Sequence, residues 1–200
     1  MCINFETSLF SFLIGESAGL TLAMSNSIEK RLIGLFIMFY SLIQIFEANI
    51  YFKSNQELNL RLLLINLGFQ GLVFFILMSY IYEINSIYIV ISILVSIIIL
   101  IKGLSENFKE ITINNCLEWN FINENEIYYS LGLMYLIMFI FIFSNKELKN
   151  DNLENDNLVF KSGIILLITY LFSFYVIDYK NRPSIWCMSS AIVAPVILLL

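Results

Sequence analysis

The sequence predicts an all-α membrane protein, a seven-transmembrane-helix bundle forming a single domain over residues 1–200, with a small surface β-hairpin between helices 4 and 5. Three observations predict it. Hydrophobic residues make up 59% of the chain and charged residues only 14%, against roughly 45–50% and ~25% in soluble domains. Mean hydropathy is +0.81. The apolar residues also fall into seven runs, most of them close to the roughly 20 residues that cross a ~30 Å hydrocarbon core at ~1.5 Å per residue. Short polar stretches between the runs make successive helices antiparallel neighbours. Little of the chain is left outside the bilayer, which is its expected partner.

The runs predict spans at 7–25, 32–52, 61–81, 87–101, 127–143, 159–177 and 184–200. Two connections are longer than the rest. Residues 144–157, SNKELKNDNLENDN, read as a solvated polar loop. In the second, 102–126, Ile111 and Ile113 alternate with polar residues before Asn114-Asn115, and Leu117, Trp119 and Phe121 alternate after it. Two alternating runs about a residue pair tolerant of positive φ read as a β-hairpin at the membrane surface; an amphipathic interfacial helix is the alternative.

Charge excludes some functions. The net charge of −5 is spread over the connections without a basic block, which argues against a nucleic-acid partner. Glu6, rather than Lys or Arg, precedes the first run, so no cleavable signal peptide is expected and Met1 stays. Histidine is absent, which removes Ser-His-Asp and Cys-His catalysis and every histidine-held metal or haem. Counting Lys and Arg gives five on one face (Lys30, Arg31, Lys146, Lys149, Lys161) and six on the other (Lys53, Arg61, Lys102, Lys109, Lys180, Arg182). The first helix, with Glu6 before it and Lys30-Arg31 after it, therefore sets the expectation: N-terminus outside or luminal, C-terminus cytoplasmic.

A polar pocket is expected near the N-terminal face. On helix 2, Tyr40, Gln44, Glu47 and Tyr51 share one side at 100° per residue. Helix 3 contributes Asn59, Asn66 and Gln70; helix 6 contributes Thr169, Ser173 and Asp178; Ser184, Ser189 and Ser190 lie on helix 7 beside Trp186. A charge within a span costs at least ~2.5 kcal/mol on insertion scales, so Glu47 should face the protein interior. The same residues also suit a packing network of interhelical hydrogen bonds, each worth about 0.6 kcal/mol. Helix 4, polar only at Ser92 and Ser96, reads as lipid-facing.

Cys2, Cys116 and Cys187 map to that same N-terminal face, as do Trp119 and Trp186. Three readings fit: a disulfide with one thiol left over, a soft-metal site, and three unrelated small residues beside an interface-anchoring tryptophan pair. Helix 1 holds Gly15-Glu16-Ser17-Ala18-Gly19. As a nucleophile elbow it would need a strand-to-helix turn and a histidine base, so Gly15 and Gly19, extended by Ser11 and Ser8, read as a close-packing face. Small residues Ser190 and Ala194 make helix 7 its expected partner. Glu16, near mid-span, needs a partner or a proton.

Four short elements, Met1-Cys2, Ser41-x-x-Gln44-x-x-Glu47, Leu117-Glu118-Trp119-Asn120 and Ser184-Ile185-Trp186-Cys187, resemble an uncharacterised family of seven-helix membrane proteins of large DNA viruses of protists and algae. The resemblance extends over nearly the whole chain, with Pro183-Ser184 standing where that family has Gly-Ser, and Ile3 where it has Trp. It implies no activity and no cofactor. Three function classes stand: a non-enzymatic membrane protein, structural or receptor-like, with a polar pocket; a small-solute transporter of 3+1+3 helix plan; and a membrane-embedded enzyme using Glu47, Asp178 or a cysteine. The first is the expected one. A retinal pump is excluded because helix 7 carries no lysine.

Overall fold

The computed structural model describes residues 5–52, 55–105, 113–114, 116–117, 124–144, 158–176 and 195–197. Six helices fill most of this: α1 (Phe5–Ala23), α2 (Ile28–Tyr51), α3 (Gln56–Met78), α4 (Ser86–Ser105), α5 (Glu124–Ser144) and α6 (Leu158–Val176). Between α4 and α5 lie two short strands, β1 (Ile113–Asn114) and β2 (Cys116–Leu117). They pair antiparallel, Ile113 opposite Leu117 and Asn114 opposite Cys116. Trp119, Phe121 and the rest of 102–126 beyond α4, the strands and α5 lie outside the described residues, as does most of the expected helix 7.

Local chemistry sets the helix ends. Ser27 caps α2, its hydroxyl oxygen accepting from the Lys30 N–H at 3.5 Å, so the helix begins at Ile28 rather than at residue 32. Asn55 precedes α3 at φ 40°, a left-handed conformation that asparagine tolerates better than most side chains. The α3 helix then starts at Gln56, not at residue 61, because a polar first turn is wound outside the apolar run. An Arg61–Glu57 ion pair at 2.6 Å supports that turn, worth about 0.3–0.5 kcal/mol in this i, i+4 position. After Met78 the chain turns, with Ser79 donating to the Ile76 carbonyl, and Asn85 Oδ1 accepts from Ile87 N–H at the start of α4.

Successive helices run antiparallel. Phe5 meets Phe52 across α1 and α2, Phe36 meets Phe74 across α2 and α3, and Phe75 stacks on Tyr88 across α3 and α4. Phe143 meets Phe160 across α5 and α6. Helices α2, α3, α5 and α6 form a ring of neighbours; α1 lies outside against α2, and α4 outside against α3 and α5. Edge-to-face rings around buried Phe141, among them Phe74, Phe75 and Tyr82, fill the half of the bundle remote from the N-terminus. Such pairs add about 0.5–1.5 kcal/mol each beyond area burial.

Helices α2 and α3 are long and apolar enough to cross a membrane; at ~1.5 Å per residue both exceed a ~30 Å hydrocarbon layer. The outer face of α4 exposes Ile87, Val90, Leu94, Ile97 and Ile101, the last 61% exposed. Its two mid-helix serines turn the other way: Ser92 and Ser96 are buried, and Ser96 donates to the Gly68 carbonyl of α3 at 2.6 Å.

Helix α1 buries the expected face, Ser8, Ser11, Gly15, Ala18 and Gly19, but against α2. A Cβ on Gly34 would sit 2.5 Å from the Gly19 carbonyl oxygen and 2.5 Å from the Ala23 nitrogen, so the two backbones meet there almost without side chains between them. The C-terminal segment reaches α1 elsewhere: Pro195 lines a shallow groove with Phe10, Leu13, Ser17 and Thr21. The expected pairing of the glycine face with Ser190 and Ala194 rests on residues outside the described set.

Candidate functional site

Polar side chains gather inside the bundle at three depths. At the N-terminal end, Asn49 Nδ2 donates to Asn59 Oδ1 at 3.4 Å, joining α2 to α3, and Asn59 Nδ2 donates to the Asn55 carbonyl. Gln44 and Glu47 are buried one turn further in on α2. Gln44 is 1% exposed, and neither of its amide atoms has a hydrogen-bond partner among the described residues, nor do Ser8 Oγ and Ser11 Oγ. The α1–α2 register set by Phe5 against Phe52 and Glu16 against Ser41 brings these serines to the depth of Gln44 and Glu47.

At mid-depth a chain of amides ties three helices together. Asn66 Nδ2 donates to the Phe39 carbonyl of α2 at 2.9 Å, Gln70 Nε2 to Asn66 Oδ1 at 3.3 Å, and Tyr135 Oη of α5 to Gln70 Oε1. Asn66 and Gln70 are thus engaged in helix-to-helix bonding. Glu16, partly buried on α1, accepts from Ser41 Oγ at 2.6 Å, which supplies the partner its position demands.

At the far end Glu29 is buried, 3% exposed, in the first turn of α2. Its Oε1 accepts from Val159 N–H at 2.9 Å and from Tyr82 Oη at 3.2 Å. Val159 is the second residue of α6, whose first N–H groups have no intrahelical partner, so the carboxylate caps a foreign helix as well as sitting at the positive end of its own. Burial first, then the Glu29 charge and the hydrogen bond to it, push the Tyr82 phenol well above its usual range.

Between the mid-depth chain and this cap lies a cavity of about 70 Å³ enclosed by all four ring helices and Ile197. Its wall is apolar: Ile33, Phe36 and Ile37 from α2, Phe74 and Met78 from α3, Met138 from α5. Tyr40, Ser41, Tyr135 and Ser162 also line it, though its surface is almost wholly carbon, and no carboxylate or cation among the described residues lines it. Ser162 is 6% exposed and its Oγ has no partner among the described residues. The described lining residues thus bring no carboxylate, cation or thiol to the cavity.

Of the residues expected to form a polar pocket, Tyr40 lines this cavity, Gln44 and Glu47 lie nearer the N-terminal end, and Asn66 and Gln70 form the mid-depth chain. Asp178, Trp186, Cys2 and Cys187 lie outside the described residues, as do the side chains of Ser173 and Cys116. Among the described residues no three of Cys, Asp and Glu gather as a metal site. Sequence reasoning missed Glu29, Ser162, Tyr135 and Gly34. Glu29 carries one usable signal, its place just after a Ser27 cap at the mouth of an apolar run; the others sit in apolar runs with nothing to distinguish them.

The chain is a helical protein with two helices long and apolar enough to span a membrane. No protein-family model, no curated protein and no solved structure matches it.

Proposed function

We propose that this chain is a multi-pass integral membrane protein of seven spans, capped by a surface hairpin over 102–126, that acts without catalysis, as a structural or receptor-like component. On the four short motifs it is also proposed to belong to the viral seven-helix family it resembles, with the N-terminus outside or luminal. The observation that carries the membrane reading is the outer face of α4: Ile87, Val90, Leu94, Ile97 and Ile101, spaced i, i+3, i+4, stand exposed while the mid-helix Ser92 and Ser96 are buried. In water such a face would be an aggregation surface; in lipid it is the ordinary exterior. The non-catalytic reading is supported by Asn66, Gln70 and Tyr135 being bonded to one another and to backbone, and by a cavity whose wall, among the described residues, is apolar.

Alkaline carbonate extraction of membranes from cells expressing the chain tests insertion, and protease access to a tag at each terminus in sealed vesicles tests the span number. The chain should stay with the membrane, with its two ends on opposite sides. Release into the carbonate supernatant refutes the membrane reading, and same-side protection refutes seven spans.

A further inference from the structure

We propose that the seam where α2 and α6 begin binds the headgroup of an anionic glycerophospholipid, its phosphate between Lys30 and Lys161 and an acyl chain along Ile165 and Ile168. This rests on the membrane reading above and gives the bundle a specific lipid partner.

The bond of 2.9 Å from Val159 N–H to Glu29 holds the first turn of α6 against the first turn of α2. Lys30 follows Glu29, and Lys161 comes two residues after Val159. Helical rotation decides where the two ammonium groups go. Ile37, seven residues beyond Lys30, returns to within about 20° of it around α2. Ile37 lines the cavity together with Val159, Ser162 and Gly163 of α6, so Lys30 lies on the side of α2 turned toward α6. On α6, Phe160 packs on Phe143 and Gly163 lies against Ile142, both of α5. Lys161 stands about 100° round the helix from Phe160 and about 160° from Gly163, on the flank away from α5 and beside α2. Two cations from different helices therefore border one seam, within about 5 Å of where those helices start.

Lys30 is half-buried and Lys161 exposed, and no hydrogen bond or ion pair to either ammonium group occurs among the described residues. The acid at the seam, Glu29, is buried and already bonded to Val159 N–H and Tyr82 Oη. Two positive charges against one negative leave a single net charge, which a phosphodiester matches. In the proposed orientation this end is cytoplasmic, the side where anionic lipids concentrate and where basic pockets between spans hold their headgroups. Below Lys161 the same face of α6 continues through half-buried Ile164 and Ile165 to Ile168, which is 60% exposed. That is an apolar track about 10 Å long. A soluble phosphate has no use for it, whereas an acyl chain does.

The test uses the full-length protein, taken from membranes after a carbonate wash and kept in neutral detergent. It is titrated with phosphatidylglycerol or phosphatidylcholine, and bound lipid is read by native mass spectrometry. Phosphatidylglycerol should bind the more tightly. Lys30→Gln and Lys161→Gln should each weaken it about fivefold, the share of one lysine at an anionic lipid surface, while Lys161→Arg should keep it. Arg31→Gln is the control, because Arg31 lies at the same depth but turns with exposed Leu35 to another side of α2, and it should change little. Glycerol 1-phosphate, the same head chemistry without a tail, should fail to displace the lipid at equal concentration. Should half-buried Lys30→Gln melt early, the exposed Lys161→Gln decides alone. Equal binding of the two lipids, indifference to Lys161→Gln, an equal loss in Arg31→Gln, or displacement by glycerol 1-phosphate overturns the proposal. A chain released at the carbonate step overturns the membrane reading instead, before any lipid is added.

Discussion

Gly34→Ala probes the close approach of α1 and α2. The added Cβ would meet the Ala23 nitrogen and the Gly19 carbonyl oxygen, each at 2.5 Å, and Leu22 Cβ at 2.8 Å. Two of these atoms are backbone and cannot swing aside. Ordinary contact begins at 3.4 Å, so α1 and α2 must separate by about 0.9 Å at their crossing, and the 2.6 Å bond between Ser41 and Glu16 lies along the same seam. Overpacking of this kind costs about 1–3 kcal/mol, against which alanine recovers about 0.5–1 kcal/mol of helix preference. The net loss lies between about 0 and 2.5 kcal/mol, and with two of the three clashes on backbone it should fall in the upper half of that range, roughly 2–10 °C in Tm for a chain of this size. Thermal unfolding in micelles, followed with a thiol-reactive dye, measures it. Gly19→Ala should cost less, because the Met38 side chain at 2.6 Å can move and the nearest backbone atom, the Gly34 carbonyl oxygen, stands off at 2.9 Å rather than 2.5 Å. Gly132→Ala is the control, since its Cβ would meet nothing within 4 Å, and it should hold or raise Tm. If Gly34→Ala melted with Gly132→Ala, the close approach of α1 and α2 would be refuted.

Tyr135→Phe removes the donor to Gln70 Oε1 and should cost about 0.6 kcal/mol; combined with Gln70→Leu it should cost less than the sum of the single changes, and an additive double variant argues against the mid-depth chain. Glu29→Ala leaves the buried Val159 N–H and Tyr82 hydroxyl unmatched, an expected loss of about 1–3 kcal/mol by the same melting assay, while Glu29→Gln should recover part of it. Tyr82 keeps its proton in the folded state where a free phenol, at pH 10.0, begins to lose it. The unfolded chain therefore binds fewer protons above that pH, and the stability from Tyr82 is present below pH 10.0 and lost as pH climbs toward the raised value. Tyr82→Phe should flatten that alkaline decline; an unchanged decline would mean another group titrates.

The helices were legible because membrane-length apolar runs announce themselves through composition. Their ends were less so: the α3 start lay hidden in Gln56-Glu57-Leu58-Asn59, which reads as linker until the Glu57–Arg61 pair is seen along one helix face. The packing face of α1 was legible because two glycines and two serines at helical spacing have few other uses, but its partner was not, since Gly34 is a single glycine in a leucine-rich run. Gln44, Glu47, Asn66 and Gln70, expected to face a polar pocket, are all buried between the helices. What sequence could not give was their division of labour. Whether two inward amides bond to each other or to a ligand depends on helix rotation and depth, and the cavity is walled by ordinary apolar residues that carry no pattern of their own.

The seam between α1 and α2 bears on how the chain is made. Helix α1 carries Glu6 and Glu16 and four hydroxyl residues, Thr7, Ser8, Ser11 and Ser17, within its first thirteen positions, a poor candidate for leaving the translocation channel by itself. Helix α2 is apolar enough to do so and holds the groups that quiet α1: the Ser41 hydroxyl for Glu16 and the bare Gly34 backbone for Gly19. The two are joined by four residues, Met24–Ser27. On the proposed membrane reading, entry into lipid is a joint event, with α1 waiting in the channel until α2 has been synthesised and folds back against it. A substitution at Gly34 would show itself during biosynthesis, as chains stalled or degraded with α1 left behind, before it was ever seen in the melting of the finished protein.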